Sequence, residues 1–212
     1  MKNPLRETLA TKIAQSLADR IITGVIRPNT PLRQDHIAAE FGASHVPVRE
    51  AFRQLEAQGL AISEPQRGMR VTPFDVEDLH EVAAMRASLE VLALRHAVPK
   101  MTSAVLEAAE QATHAGDVSR EVREWEDANR RFHRLILGPC GMPRLLSAID
   151  TLHTASARFL FAAWRSDWEA PTNHEHRAIL AALRRGETDR ACLILSKHVG
   201  RTRRRDLQKN GL

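Results

Sequence analysis

From residue 75 onward the chain is punctuated as a succession of helices. Apolar residues recur at three- and four-residue spacing, and the interruptions are ones that end helices: Pro99, Gly116, the pair Gly138-Pro139, and Gly186. The spacing predicts helices over residues 75–98, 102–115, 119–137, 143–165, 172–185 and 188–206. Six amphipathic helices with short connections bury their apolar stripes most economically as an antiparallel bundle, so the fold class is mainly α.

The segment before Pro73 has a different order. Ala10, Ile13, Ala14, Leu17 and Ile21 predict a first helix over residues 10–22, closed near Gly24. After a turn with Pro28, Asn29 and Pro31, the residues Ile37, Ala38 and Phe41 mark a short second helix that Gly42 ends. Ser44 is placed to cap a third helix, with Pro47 in the first turn, where a missing N–H costs little. In that helix Val48, Phe52 and Leu55 form one stripe, while His45, Arg49 and Arg53 recur every four residues on another. Gly59 ends it, and residues 60–63 and 69–72 read as two strands about a Pro65-Gln66-Arg67-Gly68 tip. Pro73, followed by Asp75 and Asp78 at the start of a new helix, sets a boundary near residues 72–75. Two domains are expected, 1–73 and 74–212.

The 212 residues are enough for two modest cores, and 43% hydrophobic with 27% charged residues is a globular composition. A net charge of +5 permits an acidic partner without requiring one. Cys140 and Cys192 form no CxxC pair, which excludes a thiolate zinc site and a disulfide framework and fits a reducing cytoplasm. The first nine residues lack an apolar leader, and no run of about 18 apolar residues occurs, so neither export nor membrane insertion is expected. The basic end, with Arg201, Arg203, Arg204, Arg205 and Lys209, reads as a solvated helix face.

Helix, turn, helix and hairpin wing in this order form the geometry in which the last helix enters the DNA major groove. Its exposed stripe carries suitable chemistry. Arg49 offers bidentate contacts to guanine or phosphate, His45 a donor, and Ser44 a hydroxyl for backbone oxygens, while Arg67 at the wing tip reaches an adjacent groove and Gly68 allows close approach. The stretch "LRQDHIAAEFGASHVPVREAFRQLEAQGL" with the downstream "PQRGMRV" resembles the winged-helix domain of GntR-family transcription regulators. The resemblance implies DNA contacts at Ser44, His45, Arg49, Arg67 and Gly68. The chain departs from the family pattern at His45, where many members have arginine, and at Asp35, where some have a contacting arginine.

Ten histidines are the compositional anomaly. Asn129 and His133 are four residues apart and share a helix face. His176 lies 10 residues before Gly186 and His198 12 after it. At 1.5 Å per residue the two differ in height by only about 3 Å in an antiparallel hairpin. Three imidazoles and one amide oxygen suit zinc or nickel, with manganese as a further candidate.

Residues 79–200, with "MRASLE", "NRRFH", "EHRAIL" and "HV", are similar to the helical FCD domain of the FadR-type branch of GntR regulators. That resemblance implies a divalent metal on Asn129, His133, His176 and His198 beside a pocket for a small organic acid. It makes Arg86 the candidate partner of an effector carboxylate, against an ion pair with Glu90, with His153 and Arg158 as further lining residues. It also implies a homodimer on a palindromic operator, with repression the commoner output. Two other readings compete: a metal-dependent hydrolase or isomerase, for which Glu175 beside His176 is the only hint, and a regulator whose bundle only dimerises.

Overall fold

The computed structural model describes residues 8–163 and 173–210, the last ten as backbone alone. The chain divides into two compact units, Met1–Asp75 and Val76–Leu212.

In the first unit, α1 (Leu9–Ile22) starts at Thr8, whose hydroxyl accepts from the Thr11 N–H at 3.1 Å. Strand β1 (Pro31–Leu32) follows, then α2 (Gln34–Phe41), α3 (His45–Ala57), β2 (Ala61–Glu64) and β3 (Gly68–Val71). The sheet order is β1-β3-β2, all antiparallel, with Leu32 opposite Met69 and Ala61 opposite Val71. The sequence predicts only the hairpin of this sheet. β1 is two residues long, too short for a period, and its proline sits on an edge strand, where the missing donor is tolerated. Ile13, Leu17, Val48, Ala51, Leu55, Leu60 and Val71 are fully buried, so the inward stripes of α1 and α3 close over the sheet. Gly42 ends α2 at φ 58°, a left-handed conformation that glycine adopts without strain and that turns the chain tightly into α3.

The second unit is helical throughout its described residues: α4 (Val76–Ala97), α5 (Ser103–Asp117), α6 (Val122–Leu137), α7 (Pro143–Ala163), α8 (His174–Arg184) and α9 (Thr188–Asn210). Single 3-10 turns at Val98–Lys100 and Gly138–Cys140 follow α4 and α6 at the expected Pro99 and Gly138-Pro139 breaks. Residues 164, 165 and 172 of the predicted helices lie outside the described residues, as do the side chains of the basic end. Leu94, Phe132, Ile136, Ile179, Leu180 and Leu195 form the fully buried apolar core. A second, polar cluster is buried beside it: Arg86, Glu90, Glu126, His133, His153 and His176 are each at most 8% exposed. Burying charge at this density costs free energy unless every group is paired, so the cluster requires an explanation.

Candidate nucleic-acid interface and candidate metal centre

In the first unit Ser44, His45, Arg49, Arg67 and Gly68 are all exposed, as a surface reader requires. Ser44 holds the N-cap position of α3 with extended backbone, but its hydroxyl makes no capping hydrogen bond. The apolar stripe Val48, Ala51, Phe52 and Leu55 anchors α3 and leaves the opposite face to solvent. On that face Arg53 lies 3.5 Å from Glu50, while Arg49 has no acidic partner among the described residues. His45 and Asp35, the two departures from the family pattern, lie 3.4 Å apart, Nε2 to Oδ1. At the wing tip Gln66 and Gly68 have φ of 65° and 80°, and the Arg67 N–H donates to the Glu64 carbonyl, which closes the turn and extends Arg67 outward. Arg67, Arg70 and Arg33 line an open groove of about 540 Å³ between the wing and the start of α2. Sequence reasoning missed Arg33 and Arg70, and also Val46, which is 65% exposed on α3. The only prior sign of them was their nearness in the chain to the reading helix and the wing.

In the second unit α6 presents Asn129 and His133 one turn apart, and the α8–α9 hairpin brings His176 and His198 together with Nε2 atoms 3.1 Å apart. The donor nitrogens of His133, His176 and His198 lie within 4.8 Å of one another. His133 Nε2 and Asn129 Oδ1 are buried and have no hydrogen-bond partner among the described residues. A buried acceptor left unpaired costs about 1–3 kcal/mol, so two of them on residues that line one cavity point to something else that they hold.

Carboxylates behind the imidazoles fix the orientation. His133 Nδ1 lies 2.6 Å from Glu90 Oε2, and His198 Nδ1 lies 2.9 Å from Glu175 Oε2. Each carboxylate accepts the Nδ1–H, which leaves the Nε2 lone pair directed into the cluster, the arrangement seen behind metal-bound histidines. His176 stacks on Phe132 at 3.9 Å between centroids, nearly parallel, which holds its ring plane. Burial lowers the pKa of His133, of His176, and of His198 to about 4, so the three rings are neutral bases at neutral pH. The residues present therefore fit a divalent cation: three neutral imidazole nitrogens and one amide oxygen suit zinc or nickel, and a metal would supply an electrophilic centre for an anionic ligand.

Beside the cluster is a cavity of about 50 Å³, lined among others by Arg86, Glu126, Asn129, His133, His153 and His198. It holds a few waters or the head group of a small acid. Arg86 makes the ion pair that competes with the effector reading: its Nε donates to Glu90 Oε1 at 2.9 Å. Its NH1 donates to the Ser156 hydroxyl at 3.0 Å, and its NH2 lies 3.0 Å from His153 Nε2. Three of the five guanidinium N–H donors are thus engaged among the described residues, and Arg86 itself lines the cavity. Burial raises the Glu90 carboxyl, but Arg86 and the histidines outweigh it and hold the group well below the usual carboxylate range. For Glu126 burial outweighs the Asn129 hydrogen bond and the more distant Arg86 and Arg130, and pushes its pKa up to about 7. His153 lines the cavity as expected, and burial lowers its pKa to about 3. Arg158 on α7 is 2% exposed and interacts electrostatically with Asp78 near the start of α4. Glu90, Glu126 and Glu175 are the functional candidates that sequence reasoning missed or misread. Glu175 points away from its neighbour His176, as adjacent helix positions do, and in doing so reaches His198.

Two family models match the chain: bacterial regulatory proteins of the gntR family over residues 9–71, and the FCD domain over residues 81–201. The probable D-xylose utilization operon transcriptional repressor of Paenarthrobacter nicotinovorans is 31% identical over 204 residues, covering 93% of this chain and 88% of that protein. The HTH-type transcriptional repressor GlaR of Escherichia coli K12 is 25% identical, covering 86% of this chain and 89% of its own. Among solved structures, a GntR transcriptional regulator from Rhodococcus sp. RHA1 shares the fold at TM-score 0.78 and 23% identity, covering 94% of this chain and 97% of that one. These proteins are regulators, and the hydrolase or isomerase alternative gives way. With an exposed helix and wing in one unit and a helical FCD unit following it in the chain, the protein belongs to the GntR family of DNA-binding transcription regulators, in the branch that carries an FCD domain.

Proposed function

We propose that the protein is a homodimeric repressor that binds a palindromic operator and responds to a small organic acid bound beside a divalent metal in the helical unit. Ser44, His45 and Arg49 on α3, with Arg67 and Gly68 on the wing, contact the DNA. Arg33 and Arg70 add phosphate contacts, and Val46 packs against a thymine methyl. Asn129, His133, His176 and His198 hold zinc, nickel or manganese. The effector carboxylate meets the metal and the remaining Arg86 donors, with His153 alongside. Acting on DNA, the protein works in the cytoplasm.

The observation that carries this reading is the pair of buried acceptors without a partner among the described residues, His133 Nε2 and Asn129 Oδ1, lining one cavity with Arg86 where His133 clusters with two further imidazoles. A bundle serving only to dimerise has no use for that arrangement, which apolar residues of the same volume would replace at no cost. An effector shifts DNA binding only by preferring one of two arrangements of the dimer.

The test is elemental analysis of tag-free wild type and His133→Ala, with operator titrations run alongside over a panel of small carboxylates. About one metal per chain, lost in the variant, together with an acid that changes operator affinity, is the expected result. Metal-free wild type that binds operator indifferently to every acid supports the dimerisation scaffold instead.

A further inference from the structure

The amide at position 129 is an ambiguous ligand, because its oxygen binds a cation and its nitrogen repels one. A half turn about the last side-chain bond exchanges them, and nothing in an asparagine alone selects the productive orientation. In this structure the Asn129 Nδ2 donates to Glu126 Oε2 at 3.1 Å, and Oδ1 is buried without a partner among the described residues. Glu126 precedes Asn129 by three residues on α6, so the two side chains are neighbours on one helix face. Glu126 is 8% exposed and lines the same cavity as Asn129 and His133. The Glu126 oxygen accepts the Nδ2 hydrogen, and that bond leaves Oδ1 as the amide atom without a partner among the described residues. Glu126 is also not one of the groups whose donor atoms cluster with the three imidazoles. Its place is behind Asn129 and not on the ion.

We propose that Glu126 is the positioning residue of the metal centre. By accepting the Nδ2 hydrogen it holds the Asn129 amide with its oxygen free for the cation. The proposal rests on the metal reading above and extends it to a residue outside the ligand set. Partners in this position commonly change metal affinity by about 10–100-fold.

The experiment is a zinc affinity measurement by chelator competition on four full-length proteins: wild type, Glu126→Gln, Asn129→Asp, and the double variant. Folding is checked by circular dichroism, and the cobalt-substituted visible spectrum serves as a second readout. Gln keeps the volume but allows either amide orientation, so Glu126→Gln weakens zinc binding about tenfold in the wild-type background and alters the cobalt spectrum. Asp offers an oxygen in both orientations and needs no guide. In the Asn129→Asp background the same change therefore leaves affinity unchanged or raises it, since two facing carboxylates no longer repel. Equal weakening in both backgrounds marks a general structural role and overturns the proposal, as does unchanged affinity in the wild-type background. Wild type that binds no zinc or cobalt overturns the metal reading and this proposal together.

Discussion

The two units use charge in opposite ways. In the DNA-binding unit an apolar core folds the helices and strands, and the proposed DNA contacts, such as Arg49 and Arg67, stand in water, Arg67 with only a loose ion pair to Glu64 at 3.9 Å. In the helical unit the working residues are inside, and Glu90 alone contacts Arg86, His133 and His153. Function and stability are therefore separable in the first unit and coupled in the second.

The largest consequence concerns Glu90. Replacing it by alanine leaves Arg86 buried without its carboxylate, and breaking a buried ion pair on one side costs about 3–5 kcal/mol. Calorimetry is expected to show the helical unit melting roughly 10 °C lower, with Met1–Asp75, whose core is separate, holding its own transition. An unchanged helical transition breaks the contrast.

Next comes the metal. Zinc at one hundred times its dissociation constant stabilises the helical unit by about 2.7 kcal/mol, and His133→Ala abolishes the gain, as chemical denaturation with and without zinc would show. Acid acts on the metal-free protein at the same place. Folding lowers the pKa of His198 to about 4 from 6.5, so between those values the unfolded chain binds more protons. Stability contributed by the neutral ring is complete above pH 6.5 and is lost as pH falls toward 4, which denaturation midpoints along a pH series would record. Glu126, raised to about 7 from 4.5, works in the opposite direction across that range and blunts the loss.

On the DNA side, Arg49→Ala is expected to weaken operator binding by about 10–100-fold, the loss of one bidentate base contact, while stability changes by less than about 0.5 kcal/mol. Fluorescence anisotropy and a melting curve on the same sample check both halves, and a large stability loss would erase the distinction between the units. The smallest effect is at Ser44. An N-cap serine replaced by alanine ordinarily costs about 1 kcal/mol. Here the hydroxyl makes no cap bond, so Ser44→Ala is expected to leave stability within a few tenths of that value from zero and to lower DNA affinity a few-fold.

Much of this was legible beforehand where the signal is local. The stripe Val48, Phe52, Leu55 and the glycine stops at 42 and 59 are statements about a single helix, and the structure follows them. The pairing of His176 with His198 was legible from hairpin arithmetic, since Gly186 fixes the turn and the rise per residue fixes the height. Strand β1 was not, because two residues carry no period and only the facing β3 makes them a strand. Glu175 was read through its neighbour His176, although its partner lies across the hairpin. Arg158 was placed by resemblance, and only the fold shows that it is buried and interacts with Asp78.

What the sequence by itself determined is the order of elements, the exposed reading stripe and the kinds of atoms able to hold a metal, because helix period, capping and ligand chemistry are short-range properties. Only the tertiary structure decided which acids stand behind which histidines and which buried acceptors are left unsatisfied. Those facts depend on packing between α4, α6, α7, α8 and α9, where residues up to 70 positions apart come within hydrogen-bond reach, and where burial, by removing water, makes each missing partner count.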